Sequence, residues 1–257
     1  MSIFDRFRLD GEIAIVTGAG AGIGAGIARG FAEAGADVAI VARSTDALAR
    51  VKADIEAIGR KCVAISMDVT APGAPAAIAE QAVAALGGVS ILVNNVGGLG
   101  GGEVIHGAMD IPADVFRHQI DVNLTSALLM TQAVAPRMSE GGSVINMSSI
   151  MGYKPVGGSA GYITAKAAMN NLTVALAHDL APKIRVNGIA PGPIVTEALT
   201  VPLNLKTEED YARIAKEWGV WVQRLGTPDD IASVALLLAS RAGSFITGQT
   251  YIVAGGM

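Results

Sequence analysis

The sequence predicts an α/β fold with a doubly wound parallel sheet of seven strands. Three observations lead there. Short apolar runs rich in Val and Ile recur at residues 13–17, 38–41, 63–66, 91–94, 143–147, 184–189 and 250–254. Their apolar residues stand at consecutive positions, as strands buried on both faces by covering helices require. Between most of them the spacing turns helical: Leu48, Val51, Ile55 and Ile58 recur at three- and four-residue intervals, as do Ile231, Val234, Ala235 and Leu238.

Composition sets the outer bounds. A chain of 257 residues without a linker-like stretch or an internal repeat is expected to be a single domain, residues 1–257. Charged residues make up only 16% against roughly 25% in an average domain, so part of the surface is expected to be covered by something other than water. A net charge of −4 and the lack of a basic cluster argue against nucleic acid and anionic membrane and leave a small molecule as the expected partner. No apolar run approaches the ~18 residues that span a bilayer; residues 231–239 are the strongest candidate. The single cysteine, Cys62, excludes an intrachain disulfide, and no leader pattern opens the chain, so a reducing, cytoplasmic setting is expected. His106, His118 and His178 are too scattered to suggest a metal.

Taken in order, the first strand runs into Thr17-Gly18-Ala19-Gly20-Ala21-Gly22-Ile23-Gly24, which opens a helix containing Ile27 and Phe31. Glycines there let backbone approach a pyrophosphate, and a helix N-terminus attracts the anion. The spacing is G-x-x-x-G-x-G, and packing alone is the competing explanation. The remaining strands alternate with helical stretches up to residue 189. Residues 191–226 break the alternation, carrying Pro191, Pro193 and Pro202, a charged helical stretch over 207–216, then Trp218 and Trp221. A segment so long is expected to be a mobile lid over a binding site.

Four motifs in register, Thr17 to Gly24, Asn94-Asn95-Val96-Gly97, Tyr162-Ile163-Thr164-Ala165-Lys166 and Pro191-Gly192, resemble the short-chain dehydrogenase/reductase family in its single-domain form. The resemblance covers essentially the whole chain, with Val96 and Ala254 as departures. It implies a Rossmann-type fold and an oxidoreductase that interconverts a secondary alcohol and a ketone with a nicotinamide dinucleotide. It also implies a cofactor site at Gly18, Gly22, Ile23, Gly24, Asp68, Val69, Asn95, Gly97, Pro191, Gly192, Ile194 and Thr196, joined by Tyr162 and Lys166. Asp68 as a plain loop residue and Thr196 as a helix cap are the competing readings. NAD-specific relatives place Asp at the end of the second strand; here Ala42 and Arg43 stand there. Arg43 bonded to a 2′-phosphate would contribute ~1.5–3 kcal/mol, so NADP(H) is expected over NAD(H), with a solvated Arg43 as the alternative.

Tyr162 and Lys166 share a helix face one turn apart. An ammonium ~4 Å away in an effective dielectric near 20 is worth ~4 kcal/mol, about three pKa units, so Lys166 is expected to lower the phenol. By resemblance, Tyr162 exchanges the substrate proton, Lys166 also holds the nicotinamide ribose, Asn123 keeps a water in the proton path, and a serine polarises the carbonyl. Ser148 and Ser149 are both available; the family spacing favours Ser149, which would act as an oxyanion-hole donor. Segments 8–11, 17–24, 97–98 and 184–192 are similar to bacterial 7α-hydroxysteroid dehydrogenases, which oxidise a secondary alcohol on bile acids. Residues 99–103, 150–160 and 197–221 are expected to line the substrate. Alternatives are a 3-oxoacyl-(acyl carrier protein) reductase, a general carbonyl or sugar-alcohol dehydrogenase, and a dinucleotide-sensing binding protein. A homotetramer, with the helices around Asn123 and Tyr162 buried between subunits, would account for the low charge.

Overall fold

The computed structural model describes residues 2–99 and 106–256. Gly100 to Glu103 of the expected substrate-lining segment lie outside the described residues. The strands are β1 (Ile13–Thr17), β2 (Asp37–Ala42), β3 (Cys62–Ser66), β4 (Ile91–Asn94), β5 (Gly142–Met147), β6 (Ile184–Pro191) and β7 (Thr250–Val253). They are the seven apolar runs, with ends moved by two residues at most. The helices are α1 (Gly22–Glu33), α2 (Thr45–Ala57), α3 (Ala74–Leu86), α4 (Ala113–Ile120), α5 (Ser126–Val134), α6 (Ala160–Leu180), α7 (Glu197–Thr200), α8 (Glu208–Glu217) and α9 (Pro228–Ala239). Among the described residues no helix is long and apolar enough to cross a membrane.

All strands pair in parallel in one sheet, in the order β3-β2-β1-β4-β5-β6-β7. Consecutive apolar residues serve opposite faces. Val16, Val38, Ile40, Ile91 and Val93 pack with Ile27 and Phe31 of α1, Leu48 and Ile55 of α2 and Ile231 of α9. Their neighbours Ile15, Ala39, Val41 and Leu92 join Ile78 of α3, Met130 of α5 and Leu176 of α6 on the other side. Local signals set the ends: Ser44 Oγ accepts from the Ala47 N–H at 3.2 Å to start α2, and Thr227 and Asp230 form a capping box ahead of α9.

The winding reverses between β1 and β4, which opens a crevice above their C-terminal ends, the usual ligand position in such sheets. Segment 191–226 lies on that side. It is a folded flap on a neck, in which Ile194 bridges Gly226 and the Gly226 N–H donates to Pro193 O at 3.0 Å. Leu205, Ile214, Ala215, Val220 and Leu225 give the flap a small core of its own. The helix expected over 207–216 is α8, begun by a Thr207–Asp210 capping box. The two tryptophans stay out of any core, with Trp218 at 40% and Trp221 at 79% exposure.

Candidate functional site

At the β1 end of the crevice the glycine loop is tied to the loop after β4. Thr17 Oγ1 donates to Val93 O at 3.2 Å and accepts from the N–H groups of Asn95 at 3.0 Å and Val96 at 3.3 Å. Asn95 Nδ2 donates to Thr17 O and Gly18 O, both at 3.1 Å, so this side chain braces the loop. Gly18 has φ +64°, and a Cβ on it would stand 2.8 Å from Asn95 Nδ2. A Cβ on Gly24 would strike Gly18 O, and one on Gly22 would stand 3.1 Å from Thr196 Cγ2. No side chain caps α1, whose N-cap is Ala21 and whose first residues are Gly22, Ile23 and Gly24. Their N–H groups are available to an anion, and a groove of about 490 Å³ beside them is lined by Gly20, Ala21, Gly22, Arg50, Val51 and Glu197 among others. An open helix end with its approach kept clear of Cβ atoms fits a dinucleotide pyrophosphate.

Arg43, Asp68 and Val69 gather at the far side of the crevice. Arg43 is exposed, and its carbonyl accepts from Ser66 Oγ at 3.0 Å. Asp68 Oδ1 accepts from the Thr70 N–H at 2.9 Å and Thr70 Oγ1 at 2.7 Å; these bonds, with a smaller pull from Arg43, hold its carboxyl below the usual range. One oxygen of Asp68 is therefore engaged in its own loop, while Val69 is buried behind it. At the opposite end β6 finishes on buried Pro191, Gly192 N–H donates to Val253 O at 2.9 Å, and Ile194 is buried in the flap neck. Thr196 occupies the cap position of α7, yet its side chain makes no capping bond.

The proposed chemistry sits where β4, β5 and α6 meet. Lys166 is 3% exposed, its Nζ donates to Met147 O at 2.8 Å, and it lies 5.6 Å from the centre of the Tyr162 ring. Ser149 Oγ accepts from the Met151 N–H at 3.1 Å and is hydrogen-bonded with Tyr162. Ser148 Oγ donates to Lys166 O at 3.0 Å, which ties down the helix backbone and separates the adjacent serines by task. Asn123 sits in a π-helical turn, Asp121–Thr125, and is 1% exposed. Such turns are rare and recur at functional sites. Its Oδ1 accepts from Gly98 N–H at 2.8 Å and its Nδ2 donates to Gly98 O, Gln119 O and Gln119 Oε1, each at 3.0 Å. A Cβ on Gly97 would be 2.6 Å from Asn123 Oδ1 and 2.8 Å from Lys166 Nζ, so both polar heads converge on that bare backbone.

The electrostatics depart from the expectation for the tyrosine. Burial pushes the Tyr162 phenol up, and the Ser149 hydrogen bond offsets only part of that. Desolvation of Lys166 weakens the cation meant to lower it: with its ammonium against a carbonyl and no carboxylate partner among the described residues, its pKa is pushed down to about 8. Three contributors were missed from sequence. Gly152 gives room to the Lys166 carbonyl, 2.9 Å from where its Cβ would be; Gly161 gives room to Gln119; and Gln119 itself is buried. The glycines between Ser149 and Tyr162 were the available signal for the first two; Gln119 carries none.

The family model described as "Enoyl-(Acyl carrier protein) reductase" matches residues 18–257. An uncharacterized oxidoreductase of Mycobacterium tuberculosis is 45% identical over 99% of this chain and 95% of its own. The 7α-hydroxysteroid dehydrogenase of Escherichia coli is 40% identical over 98% and 96%. A solved 7α-hydroxysteroid dehydrogenase complexed with NADH and 7-oxo glycochenodeoxycholic acid superposes with a TM-score of 0.90 at 39% identity, covering 100% of this chain and 98% of the other.

The depressed lysine makes stability depend on pH. Below about pH 8 both folded and unfolded chains carry the Lys166 proton, and the burial cost is fully present. Between about pH 8 and pH 10 the unfolded chain holds more protons, so folding should gain about 3 kcal/mol across that window. Urea unfolding of the wild type should show this rise and Lys166→Met should lack it. Parallel pH profiles for the two proteins would contradict the assignment.

Proposed function

Because this chain belongs to the short-chain dehydrogenase/reductase family of oxidoreductases, we propose that it interconverts a bulky secondary alcohol and its ketone, with NADP(H) preferred over NAD(H). The observation that carries this reading is the convergence of Asn123 and Lys166 on Gly97, with Tyr162 and Ser149 hydrogen-bonded beside them. The nicotinamide, when bound, donates or accepts the hydride. Gly18, Gly22, Ile23 and Gly24 would hold its pyrophosphate, Asp68 and Val69 its adenine, and Gly97, Pro191, Gly192, Ile194 and Thr196 its nicotinamide half. Asn95 would act by bracing the glycine loop.

Tyr162 exchanges the proton with the substrate oxygen. In the reducing direction a protonated phenol is the required state, and burial ensures it at neutral pH. Ser149 donates to the same oxygen and stabilises developing alkoxide charge. Lys166 resupplies the proton, since a group with its pKa near 8 gains and loses one readily in the working range, and Asn123 keeps a water on that path. Ala42 removes the carboxylate that would repel a 2′-phosphate, and exposed Arg43 stands ready to bond it. The related structure holds NADH, so the preference proposed here rests on those two residues alone.

Leu99, Tyr153, Val156, Val201 and Leu203 are exposed on segments that follow the C-terminal ends of β4, β5 and β6, an apolar rim suited to a steroid-like alcohol. A large acidic carrier is a poorer fit. Arg213 in the flap is bonded to Glu217 at 3.2 Å and to Asp210 at 3.4 Å, leaving it little to offer an acidic partner. Exposed Leu129 on α5 and Val174 on α6 are candidate contacts of a cytoplasmic homotetramer.

Purified protein should turn over hydroxysteroids or bulky ketones in a panel that includes acyl thioesters, and Tyr162→Phe should lose at least about a hundredfold in kcat with NADPH affinity nearly unchanged. Tight NADPH binding without turnover would favour a sensor instead. The ratio of kcat/KM for NADPH over NADH should exceed about ten and fall toward one in Arg43→Ala; an NADH preference would overturn the cofactor choice. Sedimentation at micromolar concentration should give a tetramer, and a monomer would contradict the buried-helix reading.

A further inference from the structure

Helix α4 holds a buried amide for which the chemistry above has no use. Gln119 is 6% exposed, and it is the buried residue of a helix that is otherwise half-buried or exposed. Left unpartnered such a group costs ~1–3 kcal/mol, and here it is engaged at both ends. Nε2 donates to Leu99 O at 3.1 Å, on the loop after β4, and Oε1 accepts from Asn123 Nδ2 at 3.0 Å. Its stem lies over the first turn of α6, where a Cβ on Gly161 would be 2.8 Å from Gln119 Cβ and 3.1 Å from Cγ. Tyr162 is the next residue.

An asparagine amide has two orientations that differ by exchange of oxygen and nitrogen. The two acceptors of Gln119, its own carbonyl and Oε1, both demand the Asn123 nitrogen, which leaves Asn123 Oδ1 to face Gly98 N–H and the Lys166 side of the site. Gly98, whose N–H and carbonyl ask for the same arrangement, and the Gln119 side chain together hold the orientation of Asn123, and Gln119 alone ties it to the turn that carries Tyr162. We propose that Gln119 is a positioning residue for proton transfer, acting through Asn123 and the start of α6. This rests on the catalytic reading given above for Tyr162 and Asn123.

Two substitutions of similar length test it. Gln119→Met keeps the stem and removes both polar ends; kcat should fall about tenfold or more, short of the ~10²–10⁴-fold expected when proton transfer itself is lost, with the NADPH dissociation constant unchanged. Gln119→Glu gives a pH signature. A protonated carboxyl can donate to Leu99 O and accept from Asn123, as the amide does; an ionised one cannot donate. The variant should approach wild-type kcat at low pH and lose it as pH rises through the carboxyl pKa. Asp114, Arg117 and His118 on α4, Asp121 in the next turn and Tyr162 and Lys166 on α6 also titrate or carry charge nearby, so the quantity read is the difference between variant and wild-type profiles. A purely structural role predicts parallel profiles and an unaltered kcat per folded molecule, and either result overturns the proposal. Tyr162→Phe run alongside separates the two readings: if it keeps turnover, the catalytic assignment falls; if it is inactive while Gln119→Glu tracks wild type, only the role of Gln119 falls.

Discussion

A single dehydrated ammonium dictates how the site is built. Lys166 is buried with a backbone carbonyl as acceptor and, among the described residues, no carboxylate to balance it, an arrangement that water would oppose strongly if the surroundings could yield. They cannot easily yield. The carbonyl belongs to the last residue of β5, in the middle of the sheet; Ser148 is bonded to the lysine's own carbonyl; Gly152 and Gly97 leave room for its backbone and its head. A lysine has three N–H donors. Met147 takes one, which leaves charge and donors facing the crevice where hydroxyl groups of a dinucleotide ribose would meet them. Burial acts on the neighbour too: Tyr162 is raised in the free chain by its own desolvation, which the Ser149 hydrogen bond offsets only in part.

What was legible in the sequence follows from what leaves a local pattern. All seven strands were readable because a strand buried on both faces must be apolar at every position, and Ile13 to Thr17 or Ile91 to Asn94 has no other use for such a run. The glycine loop, the Tyr162–Lys166 pair and the preference for Ser149 over Ser148 were read from spacing and resemblance, and the fold gathers these residues along one crevice. Gln119 was not, because a glutamine in a polar helix is written the same way whether it faces water or a buried amide. The sign of the Tyr162 shift was missed for a related reason: pair spacing gives the Coulomb attraction, whereas burial, which only the folded chain reveals, acts on both partners and in the opposing sense. Asp68 and Asn95 lie at the crevice, and part of their bonding capacity goes to the protein, to Thr70 and to the glycine loop.

The deficit of charge has several sources. Arg185 serves the interior, its guanidinium donating to Leu238 O at 2.7 Å, Gly243 O at 2.8 Å and Ile246 O at 3.2 Å, so that one cation satisfies the backbone where α9 ends. The flap adds a small apolar core beneath its charged helix α8. Apolar residues such as Phe245 and Met109 remain almost wholly exposed on the single chain, and Trp221 lies over Gly256, whose Cβ would fall 2.6 Å from the indole.

Beneath the reactive groups lies a polar ladder that an apolar core could not replace. Asn94 Nδ2 donates to Asn146 Oδ1 at 2.9 Å and Thr131 Oγ1 at 3.0 Å, and Asn146 Nδ2 donates to Thr173 Oγ1 at 3.1 Å, so β4, β5, α5 and α6 are joined by one chain of polar side chains. Thr173 lies two turns beyond Lys166 on α6. Apolar packing tolerates small slides of a helix along a sheet, because one methyl contact substitutes for another. A slide of α6 by one turn would instead strand several buried polar groups at ~1–3 kcal/mol each. Asn94 keeps one oxygen without a partner, so it stands in the ladder at a cost in stability. That cost is intelligible as the price of register: the proton transfer proposed for Tyr162 and Lys166 would need α6 held in place, and directional bonds hold a register that dispersion forces do not.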